Sequence, residues 1–229
     1  MRSQNKASLA DKAYEAVKRR IITLEFRPGQ YLNETTVCKL LRIGRTPVHQ
    51  AMHRLMLDGL VEIIPRKGVI VRSESIDEVF DLMEARWVVE PYCAGLAAEQ
   101  TTAKDAEELE RLLTTARQHL DTNAIEGFMG MDRAFHARIA RVGNTILGEM
   151  LRTLHERSAR IWFLNVWTHE DFAATQAEHE AILRAIRNGD KEGAAGAMRD
   201  HLTSLRRRII RGLDEQKPAA RRRSRAAPT

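Results

Sequence analysis

The sequence predicts a mainly α-helical chain with two domains, an N-terminal winged helix-turn-helix and an all-α bundle of about six helices. Three observations predict this. Apolar residues recur at helical spacing along most of the 229 residues. Two short β-branched runs separated by a turn occur only around residues 60–71. Residues 1–72 carry a net charge of +8, whereas residues 73–213 carry −5.

The first helix ends at the turn signal Arg27-Pro28-Gly29. Its apolar stripe consists of Leu9, Ala13, Val17, Ile21 and Leu24. A second helix is predicted from about Glu34 to Leu41, with Asn33 as its cap. Apolar runs at 60–64 and 69–71 flank Pro65-Arg66-Lys67-Gly68 and predict a hairpin with a basic tip. A small helical domain with solvated charges is the alternative.

A third helix is predicted to enter the DNA major groove. Thr46 is its candidate N-cap, and Pro47 suits the first helical position. The apolar face comprises Val48, Ala51, Met52 and Leu55, and the open face comprises His49, Gln50, His53 and Arg54. A short helix that packs on one side and offers donors and cations on the other suits the major groove.

Apolar runs, cysteine content and charge indicate the cellular compartment and the nature of the C-terminal segment. There is no run of 18 apolar residues and no apolar signal-peptide core, which predicts a cytoplasmic protein. The two cysteines predict neither a disulfide framework nor a thiolate metal site. Residues 214–229, with a net charge of +3, are expected to form a basic disordered tail.

The second domain is predicted over residues 76–212. Helices are expected at about 76–99, 103–121, 123–141, 144–169, 171–188 and 190–212. Asp132 and His136 share one helical face, and His179 and His201 lie on two later helices. One carboxylate and three imidazoles suit a divalent transition metal such as zinc, nickel or manganese. The alternative is that these are ordinary histidines at the edge of the core.

Several motifs in the first domain, predicted over residues 8–72, resemble the GntR family of transcriptional regulators. They are Leu32-Asn33-Glu34, Arg45-Thr46-Pro47-Val48, and Leu57-Asp58-Gly59-Leu60-Val61 followed by Gly68. The resemblance implies that Arg45, Thr46 and Gly68 approach DNA, and His49, Gln50, Arg54 and Lys67 are further candidates. His49-Gln50 replaces the usual Arg-Glu of the family, so a different operator sequence is expected.

The second domain is similar to the FCD effector domain, which defines the FadR subfamily, and its six helices resemble the VanR-like branch. The similarity rests on Asp132-x-x-x-His136, His179 and His201, and on Glu84-Ala85-Arg86, Glu90-Pro91 and Gly143-Asn144. It implies a metal that helps to hold a small carboxylate effector, with Arg86 facing the pocket. Arg160 and Asn165 are further candidates. An ion pair with Glu90 is the alternative role for Arg86.

Together these features predict a ligand-responsive transcriptional regulator rather than an enzyme, a homodimer that represses by binding a palindromic double-stranded DNA operator. Two alternatives are a metal-dependent enzyme that acts on a small organic acid, and a dimerising DNA-binding protein without a ligand. The first would need an open coordination position that activates water, and no separate general base is evident for it.

Overall fold

The computed structural model describes residues 7–65, 68–160 and 167–224, with side chains described up to residue 214. The chain divides between Val79 and Phe80 into two compact units. The described helices are α1 (Leu9–Ile22), α2 (Glu34–Leu41), α3 (Arg45–Leu57), α4 (Ile76–Gln100), α5 (Ala103–Asp121), α6 (Ile125–Gly143), α7 (Thr145–Ser158), α8 (His169–Arg187) and α9 (Lys191–Ser224). The strands are β1 (Tyr31–Leu32), β2 (Val61–Ile64) and β3 (Gly68–Val71).

The first unit is the predicted winged helix-turn-helix. Its sheet has the order β1-β3-β2, and both pairings are antiparallel. The three helices and the sheet enclose one apolar core that includes Val17, Val37, Leu55 and Val69. Asn33 caps α2 as predicted, because its side chain accepts hydrogen bonds from the first amides of the helix. The β2–β3 hairpin, which is the wing, and α3 therefore pack on the same core.

The start of α3 differs from the prediction that Thr46 is the N-cap. Gly44 is the N-cap, and Arg45 is the first helical residue. Pro47 consequently lies at the third helical position, where its missing N–H costs nothing because first-turn amides have no intrahelical partner. Strand β1 was not predicted, since a strand of two residues is too short to show an alternating pattern.

The described part of the second unit contains the expected six helices, α4 to α9, but two ends differ. The helix predicted to reach residue 169 ends at Ser158, and α8 begins at His169. Thr168 and Asp171 form a capping box that starts α8. Helix α9 runs on to Ser224, where a disordered tail was expected from residue 214. That stretch contains two Ala and three Arg residues, which have high helix propensity, whereas Pro218 disfavours a helix interior.

A glycine brings α6 close to α4. A Cβ atom at Gly143 would collide with the carbonyl oxygen of Cys93, whereas a Cβ atom at Gly130 would meet nothing within 4 Å. Cys93, Ala140 and Leu151 form a small buried cluster that joins α4, α6 and α7. The close approach fixes α4 against the helix that carries two of the predicted metal ligands.

We expect Gly143→Ala to lower the free energy of unfolding by about 1–3 kcal/mol, because two backbones must move apart. Gly130→Ala on the same helix is the matched control, and it should raise stability by about 0.5–1 kcal/mol. Urea unfolding of both variants measures the difference. Equal stabilisation by the two substitutions would contradict the close contact between α4 and α6.

Candidate DNA-binding surface and metal centre

The N-terminal half of α3 presents a polar face. Arg45, Thr46, His49 and Gln50 are exposed there, and the opposite side of the helix is buried in the core. The Nδ1 atom of His49 lies 3.1 Å from Oε1 of Glu34. This face offers cations, hydroxyl and amide groups of the kinds that contact phosphates and base edges.

Two other predicted DNA contacts have different surroundings. Arg54 donates to Asp11 at 2.6 Å, and its guanidinium lies 4.2 Å from the centre of the Tyr14 ring. Both partners belong to α1, so Arg54 joins α1 to α3 instead of presenting an uncommitted charge. Gly68 begins β3 with a φ of +111°, a conformation that favours glycine. Lys67 lies outside the described residues.

The metal candidates lie together in the second unit. Asp132 and His136 are on α6, His179 is on α8 and His201 is on α9, and all four residues are buried. The Nε2 atom of His179 lies 3.2 Å from Nε2 of His136 and 3.4 Å from Nε2 of His201. It lies 3.6 Å from Oδ1 of Asp132. We call these four residues the His₃Asp cluster.

Two carboxylates outside the cluster orient its imidazoles. Glu90 Oε2 lies 2.6 Å from Nδ1 of His136, and Glu178 Oε2 lies 2.9 Å from Nδ1 of His201. An ionised carboxylate only accepts hydrogen bonds, so each Nδ1 carries a proton, and in a neutral imidazole Nε2 then presents a lone pair. Carboxylates that hold metal-binding imidazoles in this way are common in metal sites.

The His₃Asp cluster fits a metal ion. If Nε2 of His136 and Nε2 of His201 both present lone pairs, a single proton on Nε2 of His179 could form a hydrogen bond to only one of them. Oδ1 of Asp132 is buried and has no hydrogen-bond partner within the described structure. Two metal–nitrogen bonds of about 2.0–2.1 Å at tetrahedral angles place the nitrogens about 3.3–3.4 Å apart. The observed separations of 3.2 and 3.4 Å match this spacing.

Burial favours the neutral form of two of the imidazoles, those of His179 and His201. It lowers the pKa of His179 well below the ordinary histidine value, and the neighbouring His201 and His136 lower it further. Burial also lowers the pKa of His201, although the hydrogen bond to Glu178 opposes this. Only the neutral imidazole has a free lone pair for a metal.

Glu90 is the centre of a buried network. Its Oε1 atom accepts from Arg86 Nε at 2.6 Å and lies 2.9 Å from His155 Nε2, while Oε2 lies next to His136. Burial raises the pKa of this carboxyl, but Arg86 and the two histidines outweigh that effect and hold the pKa well below its usual range. The ion pair considered for Arg86 is therefore present.

A narrow cleft lies beside the His₃Asp cluster, and Arg86, Asp132, His136 and His155 contribute to its walls. Its cavity volume of about 10 Å³ is roughly what one water molecule requires. Arg160 is buried at the end of α7 but does not line this cleft. Asn165 lies outside the described residues.

Sequence reasoning did not assign Glu90, His155 or Glu178 to the site. Glu90 and His155 are 65 residues apart, and no local pattern links them. The signal that was available is the placement of Glu178 next to His179 in the sequence Glu-His-Glu. A carboxylate beside a predicted ligand is a candidate for holding another ligand's second ring nitrogen.

Comparisons with protein families match both units. Residues 9–71 match the family described as bacterial regulatory proteins, gntR family. Residues 81–204 match the FCD domain. Among the described residues, no α-helix has the length and hydropathy of a membrane-spanning segment.

Individual proteins extend these matches. A helix-turn-helix transcriptional regulator in an unstable DNA locus of Streptomyces ambofaciens is 31% identical over 198 residues, which cover 84% of this chain and 81% of that protein. The Nta operon transcriptional regulator of Aminobacter aminovorans is 29% identical over 172 residues, covering 74% of this chain and 80% of that protein. The structure of Escherichia coli McbR/YncC has a similar fold, with a TM-score of 0.79 and 21% identity over 90% of this chain and 98% of its own.

The lowered pKa values predict how metal-free protein responds to acid. Unfolded histidines bind protons below about pH 6.5, whereas the lowered pKa values of His179 and His201 mean that these two bind protons only at a lower pH in the folded chain. The unfolded state therefore binds more protons, and stability should fall as the pH drops from about 7.5 to about 5.5. Melting temperatures of chelator-treated protein test this. The fall should be shallower in His179→Gln, and an equal fall in both proteins would contradict the assignment.

Proposed function

This chain belongs to the GntR family of bacterial transcriptional regulators and carries an FCD domain, and we propose on that premise that it is a homodimeric, metal-containing repressor released by a small carboxylate effector. Its family and relatives are transcriptional regulators, not enzymes. The proposal places its action on chromosomal DNA in the cytoplasm. Repression is the simplest direction of regulation, because it requires only that the protein occupy its operator.

The convergence of three Nε2 atoms and an unpartnered carboxylate oxygen carries the metal part of this proposal. His136, His179, His201 and Asp132 would hold a divalent transition metal such as zinc, nickel or manganese. When bound, the metal would supply a positive charge and a coordination position for an anionic ligand. Glu90 and Glu178 keep two of the imidazoles turned toward it.

The cleft beside the cluster supports the effector part. Arg86, Asp132 and His136 line a cavity whose volume is about that of one water molecule, so a carboxylate would have to displace side chains to enter it. Arg86 lies on α4, which begins at Ile76, directly after the wing and its short connection. An effector that binds two arrangements of α4 unequally would change operator affinity.

A set of exposed apolar side chains supports dimerisation. Val88 and Tyr92 are one turn apart on α4, and Ile146 and Met150 are one turn apart on α7. Helices α4 and α7 share a buried cluster. Exposed apolar residues in contiguous groups mark interaction sites. We assign this face to a second copy of the chain, since a twofold interface uses the same patch on both subunits.

The metal prediction is tested with purified protein. It should bind about one zinc, nickel or manganese ion per chain, measured by metal analysis and titration. His179→Ala should weaken metal binding at least about tenfold, and His169→Ala, an exposed histidine on the same helix, should not. Operator binding should survive in both variants, because α3 belongs to the other unit. Protein that neither carries nor binds a metal would contradict the proposed centre.

The DNA prediction concerns Arg45. We expect Arg45→Ala to weaken specific binding by about 1–3 kcal/mol if the side chain reads a base. Arg111→Ala, an exposed arginine on α5, makes the same change of charge and should leave affinity nearly unchanged. Equal loss on operator and random DNA would indicate a phosphate contact, and no loss on either would exclude Arg45 from the interface.

The interface prediction concerns Ile146. We expect Ile146→Glu to halve the molar mass measured by light scattering, because it buries an unpaired charge at the proposed interface. Glu149→Ala on the same helix changes an exposed polar residue and should remain dimeric. A dimeric Ile146→Glu variant would move the interface to another surface.

A further inference from the structure

Glu34 and His49 form a contact on the proposed DNA-binding face. Glu34 is the first residue of α2, and His49 lies on α3, with His49 Nδ1 3.1 Å from Glu34 Oε1. The His53 ring packs edge-on against His49 at a centroid distance of 4.7 Å. The His49 side chain is nevertheless 57% exposed. Two neighbours thus hold the imidazole while leaving part of it open to solvent.

The contact determines which ring nitrogen carries the proton. The carboxylate of Glu34 only accepts hydrogen bonds, so His49 donates from Nδ1–H. In a neutral imidazole the other nitrogen, Nε2, is then an acceptor. No hydrogen bond joins Nε2 to any described residue. Arginine, the usual residue here in similar proteins, has only donors.

We propose that Glu34 is a specificity-determining residue that makes His49 an acceptor in the major groove. The proposal rests on the proposed function, in which α3 enters that groove. Adenine and cytosine present an amino donor there, whereas guanine and thymine present oxygen acceptors. His49 held by Glu34 therefore selects adenine or cytosine on the strand that it contacts.

The placement of Glu34 is not explained by helix stability alone. Asn33 already satisfies the first amides of α2 through its own side chain. An acidic residue in the first turn adds only about 0.3–1 kcal/mol. A carboxylate near DNA also opposes binding to phosphates, independently of sequence. Glu34 thus lowers overall attraction to DNA, and in our proposal it contributes selectivity.

The test is a binding selection from a randomised palindromic library at about pH 8, above the ordinary range of histidine titration. The full-length protein should prefer amino bases over keto bases by about fivefold to tenfold at one position in each half-site, the worth of about one hydrogen bond. Glu34→Ala should reduce this preference to less than about twofold and leave other positions unchanged. Glu34→Gln keeps an acceptor oxygen and should retain the preference.

Three further variants and one control separate this role from a structural one. His49→Ala and the double variant Glu34→Ala/His49→Ala should show the same loss of preference, since Glu34 acts only through His49. His49→Arg should invert the preference toward guanine. Thr35→Ala, an exposed neighbour on α2, is the matched control and should behave as the wild type. Thermal unfolding checks that each variant is folded.

The outcomes distinguish failure of the role proposed for Glu34 from failure of the proposed function. A wild-type preference for guanine or thymine at this position overturns the role of Glu34, and so does a preference that survives in Glu34→Ala. A change that is uniform across all sequences overturns it as well, because that is the effect of charge alone. If no protein in the set selects any sequence, the proposed function fails instead.

Discussion

The buried carboxylate of Glu90 is the interaction on which the second unit depends. It contacts Arg86 on its own helix, His136 on α6 and His155 on α7. An isolated buried charge costs several kcal/mol, and removing one partner of a buried ion pair costs about 3–5 kcal/mol. The arginine balances the charge, and the histidines use the remaining acceptor positions. Helix packing, the proton position on a candidate metal ligand and the wall of the cleft are therefore fixed together.

The candidate DNA-binding face of α3 is organised in the opposite way. Its polar residues are exposed, and their positions are set by the apolar side of α3 against one core. Two contacts are exceptions, that of Glu34 with His49 and that of Asp11 with Arg54, because each connects two helices on the solvent side. In the second unit, most of the polar side chains of the site are buried and hydrogen-bonded to one another. In the first unit, most of the donors and acceptors on α3 are exposed and can bind water or a partner.

Local patterns in the sequence were sufficient for much of the fold. Helical periodicity gave α2 and α4 to α6 nearly to their ends, and Asn33 marked the start of α2. The spacing of Asp132 and His136 placed two candidate ligands on one face. Their proximity to His179 and His201 was not derivable from spacing, since it depends on how α8 and α9 pack. The resemblance to the FCD domain supplied that expectation.

The remaining features depend on distant or very short segments. Arg54 lies on the open side of α3 by periodicity, yet its charge is bound to Asp11, 43 residues earlier. The N-cap of α3 is Gly44 and not Thr46. Both residue types are favoured at an N-cap, so the backbone conformation of the turn determines where the helix begins. Strand β1 exists only because β3 offers it a partner. Tertiary contacts determine these features, and the periodicity of the sequence does not predict them.

The burial of Cys93 has a practical consequence for labelling chemistry. Burial, with a smaller effect from Glu90, raises the pKa of this thiol to about 11, so almost no reactive thiolate is present at neutral pH. The only other cysteine, Cys38, is partly accessible on α2, the helix that precedes α3. A maleimide fluorophore should therefore attach to the wild-type sequence at one site. Delayed modification of Cys93 would then report the rate at which the helical bundle opens.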